Sequence, residues 1–261
     1  MLTYRSTSIA FLILALVLIP LSFYFLIATY LLLIVLVSYI SLLVWGSACI
    51  SSGFYVKAFC RKKTKNKILS ITFDDGPDRQ TTPAVLEFLK RHGLSATFFC
   101  IGKNIEGNED IIRRLVDEGH LIGNHSFSHS NFFDFFASAK MIKDLKKTED
   151  MITEQSGEVT RLFRPPFGVT TPSLMKSTEI LGYQVIGWSV RTFDSTIKSQ
   201  SRIMKRIRKR IRPGVIILFH DNHNSLLPLL DDFIRLTKET GYRIVPLDHL
   251  LEITPNRKRN S

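Results

Sequence analysis

Between Arg5 and Lys57 the chain runs for 51 residues without one Asp, Glu, Lys or Arg. A bilayer span needs about 20 predominantly apolar residues, so this stretch suffices for two helices and a turn. They are expected near 8–26 and 30–50. Pro20 and the 23–30 stretch interrupt the pattern, and Tyr24, Tyr30 and Trp45 are placed to sit at interfaces. The alternatives are one long signal anchor or a cleaved signal peptide. The latter would have an apolar region of only about 7–15 residues ahead of a small-residue cleavage site. Residues 1–56 are therefore expected to form a membrane anchor, a two-pass helical hairpin in the lipid bilayer of the cell membrane.

Charge bears on orientation. The formal net charge is +12, of which Arg5 contributes +1, the six cations of 57–67 contribute +6 and the tail 257–259 contributes +3, leaving +2 for the body. No acidic residue lies before Asp74 or after Glu252. A basic balance raises nucleic acid as a partner. Here the excess is juxtamembrane or terminal, where anionic lipid headgroups account for it. The positive-inside rule places the 57–67 cluster, a basic linker, and the domain behind it in the cytoplasm. A second basic run, 198–212, carries eight cations and no acid. Ile203, Ile207 and Ile211 recur every fourth residue in it and can face a core, leaving a solvated cationic face. No nucleic-acid partner is expected. The three cysteines, Cys49, Cys60 and Cys100, form no CxxC pair and imply neither a disulfide framework nor a cysteine metal site.

After Lys67 the texture changes to short β-rich runs alternating with amphipathic stretches. Strands are expected at 68–73, 96–101, 121–124, 162–164, 184–189, 215–219 and 243–245. Helices are expected at 82–92, 109–118, 135–155, 172–181, 199–211 and 226–240. This alternation predicts a parallel α/β sheet or barrel. In such folds functional residues gather where strands end.

The polar residues follow that rule. The first strand ends in Thr72-Phe73-Asp74-Asp75-Gly76-Pro77, where two adjacent carboxylates can serve a metal and a base, or form an acidic turn. The third ends in His125-Ser126-Phe127-Ser128-His129; if this segment makes a helical turn, both imidazoles can reach one ion. With Asp75 they make the two-imidazole, one-carboxylate set of a hydrolytic metal such as Zn²⁺. The fourth ends in Arg164-Pro165-Pro166-Phe167-Gly168, a rigid turn that can aim the Phe167 N–H or serve structure alone. The fifth run gives Trp188-Ser189-Val190-Arg191-Thr192-Phe193-Asp194-Ser195. The sixth ends in Leu218-Phe219-His220-Asp221, making His220 a general-acid candidate or a core histidine.

Taken in order, these five motifs resemble the polysaccharide deacetylase family, the NodB-homology or carbohydrate esterase family 4 domain, over about 68–252, with a basic tail at 253–261. The resemblance implies a distorted (β/α) barrel of about seven parallel strands and a hydrolase that removes acyl groups from sugars. It implies that Asp75, His125 and His129 hold one divalent ion, expected to be Zn²⁺, with Co²⁺, Ni²⁺ or Mn²⁺ as alternatives. Asp74 would be the base, Arg164 would pair with it and hold it ionised, and the Phe167 N–H would stabilise the oxyanion. His220 would be the acid, oriented and made more basic by Asp194. Leu218 and Trp188 would contact substrate. The fourth motif departs from the common pattern: Arg191 replaces a first aspartate and Ser195 a terminal tryptophan, which bears on acyl and sugar preference.

The expected substrate is an N-acylated amino sugar. An extracytoplasmic domain suits a polysaccharide of the wall or surface. A cytoplasmic one suits deacylation or deformylation of a lipid-linked sugar. A non-catalytic carbohydrate-binding relative is the remaining alternative, and the intact set of Asp74, Asp75, His125, His129 and His220 speaks against it.

Overall fold

Thr3 opens the first helix with a capping box: its side-chain oxygen accepts the Ser6 N–H, and the Ser6 hydroxyl accepts the Thr3 N–H. The computed structural model describes residues 2–258. This cap starts α1 (Tyr4–Ser22) four residues ahead of the expected start, and α2 (Leu26–Ala48) shifts in the same direction. The break falls at 23–25, inside the interrupted stretch. Phe11 stacks on Tyr39 at 4.2 Å, and Ser8 and Tyr39 share a hydrogen bond of 3.0 Å. Both helices are long and apolar enough to cross a membrane, and most of their apolar side chains are exposed.

The helix pair is tied to the domain behind it. Thr170 donates its N–H to the Ser47 carbonyl at 3.1 Å and its hydroxyl to the Gly46 carbonyl at 3.0 Å. Ile50 and Cys60 belong to the same buried cluster as Phe133, Phe163 and Leu174. The basic stretch 57–67, expected as a linker, lies along the domain: Phe59 donates to the Val185 carbonyl at 2.8 Å and Lys62 to that of Gly214 at 2.9 Å.

Beyond it the order is β1 (Ile68–Asp74), α3 (Thr82–His92), β2 (Thr97–Cys100), α4 (Gly102–Ile105), α5 (Glu109–Asp117), β3 (Leu121–Asn124) and α6 (Ser138–Ser156). There follow β4 (Glu158–Thr160), β5 (Leu162–Phe163), α7 (Pro172–Leu181), β6 (Gln184–Val185), β7 (Val190–Arg191) and α8 (Gln200–Arg210). The chain closes with β8 (Ile216–His220), α9 (Leu226–Thr240), β9 (Arg243–Ile244), α10 (Leu247–Leu251) and β10 (Asn256–Lys258). The parallel strands run β6-β5-β3-β2-β1-β8-β7, with β9 also pairing with the start of β1. Only 186–189 separate the two ends of this path in sequence, so the sheet rolls into a distorted half-barrel, the expected architecture.

Several features were not anticipated, among them the short α4, β4 and α10. Val190–Arg191 leaves the fifth run as a separate strand paired to β8. Within the basic tail, β10 pairs antiparallel with β4.

Strand alternation divides the core. Leu69, Ile71 and Phe73 of β1, with Ile217 and Phe219 of β8, face the helical layer, where Ile203 and Ile207 of α8 are buried with them. α8 therefore presents most of its cations outward, Arg206 being half-buried. The other face of β1, with Ser70, Thr72 and Asp74, looks into the barrel. The β1–β8 register pairs Thr72 with Leu218 and Asp74 with His220, bringing the two motif ends side by side.

Candidate active site

Arg164 is wholly buried inside the barrel. Its Nη1 donates to Asp74 Oδ1 at 2.6 Å and to Thr72 Oγ1 at 2.8 Å; Nε and Nη2 donate to the carbonyls of Ile186 (3.2 Å) and Gly187 (3.0 Å). A buried guanidinium needs such partners. The expected pairing with Asp74 is present. Burial is the larger influence on that carboxyl and raises it above the ordinary range, with Arg164 opposing the rise.

Asp75, His125 and His129 bring one donor atom each to within 4.8 Å of the others. Both imidazole Nε2 atoms approach Asp75 Oδ1, His125 at 3.6 Å and His129 at 3.5 Å. These gaps exceed a hydrogen bond and suit a shared ion. His125 Nδ1 meets the Arg164 carbonyl at 2.8 Å, so Nδ1 carries the proton and Nε2 is free to ligate. Burial pushes the His125 imidazole down to about 3, keeping it neutral, as a ligand must be. The donors thus fit a divalent ion. The route to this geometry differs from the expected helical turn. Ser126 and His129 adopt positive φ, and side chains brace the loop: Asn124 Oδ1 accepts the Ser126 N–H, Ser126 Oγ the His129 N–H, and Asp144 the Phe127 N–H.

Across the cavity, Asp194 Oδ1 meets His220 Nδ1 at 2.8 Å and Oδ2 accepts the His220 backbone N–H at 2.9 Å. Burial alone would pull the His220 imidazole down, but Asp194 raises it above its ordinary value. Burial works to raise Asp194 in turn, and the His220 and His223 hydrogen bonds hold it well below the usual carboxylate range. His223, which the sequence reasoning missed, places Nε2 3.2 Å from Asp194 Oδ2 and Nδ1 2.9 Å from Ser225 Oγ. An ionised Asp194 only accepts, so His223 Nε2 is the donor. The three-residue spacing from His220 was the available signal.

Asp221 was also missed, and only its adjacency to His220 marks it. It is buried beneath Gly76, where any Cβ would collide with its carboxylate. Burial lifts that carboxyl to about 7, and Thr82 donates to Oδ2 at 2.6 Å.

Asp74, Asp75, His125, His129 and His220 line one cavity of about 190 Å³. Phe167, Trp188 and Leu218 form walls beside Arg191 and Ser195. Arg164 and Asp194 stand behind Asp74 and His220. Phe167 has φ +58° and sets its ring 5.0 Å from that of His129. Trp188 lies over Gly168, where a Cβ would strike the indole.

Comparison with known proteins agrees with this geometry. The polysaccharide deacetylase model matches residues 61–186. The peptidoglycan-N-acetylmuramic acid deacetylase PdaA of Bacillus subtilis is 36% identical over 199 residues, 74% of this chain and 75% of that protein. The peptidoglycan-N-acetylglucosamine deacetylase PgdA of Listeria monocytogenes is 33% identical over 189 residues, 72% of this chain; the chain spans only 40% of that relative's length. The crystal structure of the Bc1960 peptidoglycan N-acetylglucosamine deacetylase superposes with TM-score 0.71 at 30% identity, covering 76% of this chain and 94% of that one. The chain belongs to the polysaccharide deacetylase family.

Proposed function

We propose that this chain is a metal-dependent hydrolase removing the N-acyl group, expected to be acetyl, from an amino sugar of a glycan. The observation that carries this is the strand register that sets Asp74 beside His220, with Asp75, His125 and His129 on the same cavity. Asp75, His125 and His129 would hold a divalent ion, which would supply Lewis-acid polarisation of the amide carbonyl and a water of pKa about 7. Asp74 takes a proton from the attacking water. Arg164 keeps that carboxylate aimed into the cavity. The Phe167 N–H donates to the developing oxyanion, a contribution of about 10²–10³ in rate for such donors. His220, held by Asp194 at Nδ1, presents Nε2–H to the departing amine, which leaves protonated. Leu218 packs on the acyl group and Trp188 on the sugar.

The names of the relatives point to N-acetylglucosamine or N-acetylmuramic acid of peptidoglycan as the substrate class. We assign 1–56 as a two-pass membrane anchor, 57–67 as its basic collar, 68–252 as the catalytic domain and 253–261 as a basic tail. The collar supports a second reading, a lipid-linked amino sugar at the cytoplasmic leaflet, because six cations directly after a span favour the inner face. Acetate release from a peptidoglycan fragment by the purified full-length protein, absent in Asp74→Asn, tests the activity. An alkaline phosphatase fused to the C-terminus tests the side: activity in intact cells places the domain outside, and silence places it within.

A further inference from the structure

Arg191 places a positive charge on the wall of the cavity. It lines the cavity beside Trp188, Ser195 and Leu218. Its guanidinium carbon lies 5.5 Å from the Trp188 ring and 5.0 Å from the Phe193 ring. Arg206 crowds the same Phe193 ring at 4.6 Å and donates its Nε–H to the Arg191 carbonyl at 2.7 Å. Among the described residues the ion pairs made by arginines are those of Arg79, Arg114, Arg164, Arg208 and Arg235. Arg191 and Arg206 make none. The Arg191 Nε is buried without a hydrogen-bond partner. Burial, and then the like charges of Arg210 and Arg191, pull the Arg206 pKa below its ordinary value.

Among the described residues no carboxylate neutralises the Arg191 guanidinium, so an acceptor entering the cavity meets a charge that is not already committed. Two like charges sharing one aromatic ring, with no carboxylate between them, favour an anion. A guanidinium offers a planar fork of donors matched to carboxylate or phosphate. Packing against Trp188 alone would need neither the charge nor the fork.

We propose that Arg191, supported by Arg206, is an anion subsite on the wall of the catalytic cavity, and that the substrate is an amino sugar bearing a carboxylate or phosphate near its N-acyl group. This rests on the deacylase reading above and narrows its substrate to an acidic or phosphate-linked glycan. Ser195 leaves room on that wall where a tryptophan would close it.

The test compares three probes of matched size: neutral N,N′-diacetylchitobiose, its 1-phosphate, and N-acetylglucosaminyl-N-acetylmuramic acid. Dissociation constants are measured by calorimetry on full-length Asp74→Asn protein in detergent, alone and combined with Arg191→Gln or Arg191→Lys. At least one anionic probe should bind roughly tenfold more tightly than the neutral one. Arg191→Gln should erase that preference and Arg191→Lys should restore much of it. The stronger of the two anionic probes identifies phosphate or carboxylate as the partner. Equal affinity for all three probes, or a preference that survives Arg191→Gln, overturns the subsite while leaving the deacylase reading in place. If no probe binds, the subsite is overturned, and acetate release from a peptidoglycan fragment, which uses none of these probes, separately decides the deacylase reading.

Discussion

Two clusters at the cavity, one lining it and one reaching it through His220, are built from the same residue types, one carboxylate and two histidines, and differ in spacing. In the first, the imidazoles of His125 and His129 stop 3.6 Å and 3.5 Å from Asp75 Oδ1. In the second, Asp194 reaches His220 Nδ1 at 2.8 Å and His223 Nε2 at 3.2 Å. The second cluster satisfies itself by hydrogen bonds and sets where a proton resides. The first converges its donors without joining them, which is the arrangement a cation requires. Residue type alone does not distinguish the two roles; a few tenths of an ångström do. Backbone explains the difference. His220 is the last residue of a buried strand and meets the carboxylate of the loop that follows β7, whereas Asp75 and His129 both have positive φ, which turns their side chains toward a common point.

The strongest way to break the comparison is through Asp74, the proposed base, which belongs to neither cluster. Asp74→Asn should lower kcat by about 10²–10⁴ while the protein still takes up one divalent ion, since a base is lost and a ligand is not. Loss of the ion in that variant, measured by elemental analysis after dialysis, would show that the two adjacent aspartates have exchanged roles.

Asp194→Asn comes next, with a fall in kcat larger than any rise in KM. Its pH signature is specific. Asp194 raises the His220 pKa, and the acid must be protonated to act, so activity is lost as pH rises through that pKa. Removing the carboxylate charge should move the alkaline limb of the pH–rate profile to lower pH. An alkaline limb untouched by both Asp194→Asn and His220→Gln would require another acid.

The smallest effect is expected at His223. Its Nε2–H shares the Asp194 carboxylate with His220, so His223→Phe should strengthen the remaining bond. The alkaline limb should then shift slightly upward, opposite in sign to Asp194→Asn, with only a few-fold change in kcat. A downward shift would mean that His223 orients Asp194 more than it competes for it.

Much of this arrangement was legible in the sequence because a parallel sheet places its chemistry at strand ends. Asp74, Asp75, His125, Arg164 and His220 each follow an apolar run, and the register of β1 on β8 needs only those runs to align. α3, α7 and α9 matched their expected bounds because Pro, Gly and apolar periodicity agree at their ends. Elsewhere local signals gave out. A capping pair of Thr3 and Ser6 moved α1 forward, although the apolar stretch gave no reason to start there. The His125–His129 spacing suggested a helical turn, but Asn124, Ser126 and Asp144 supply side-chain acceptors that hold a loop instead. The pairing of β4 with β10 joins segments far apart in sequence, and three-residue strands carry no periodicity. Asp221 and His223 are placed by tertiary contacts with Gly76, Thr82 and Asp194, and their nearness to His220 in sequence hints at neither role.

The central claim is that the widely spaced cluster holds an ion and the hydrogen-bonded cluster does not. Calorimetric titration of metal-stripped, full-length protein with Zn²⁺ tests it directly, comparing the parent chain with His125→Ala and His220→Ala. One ion should bind the parent and His220→Ala with similar affinity, and His125→Ala should bind none at that site. Unchanged binding in His125→Ala, or its loss in His220→Ala alone, would contradict the assignment of the two clusters.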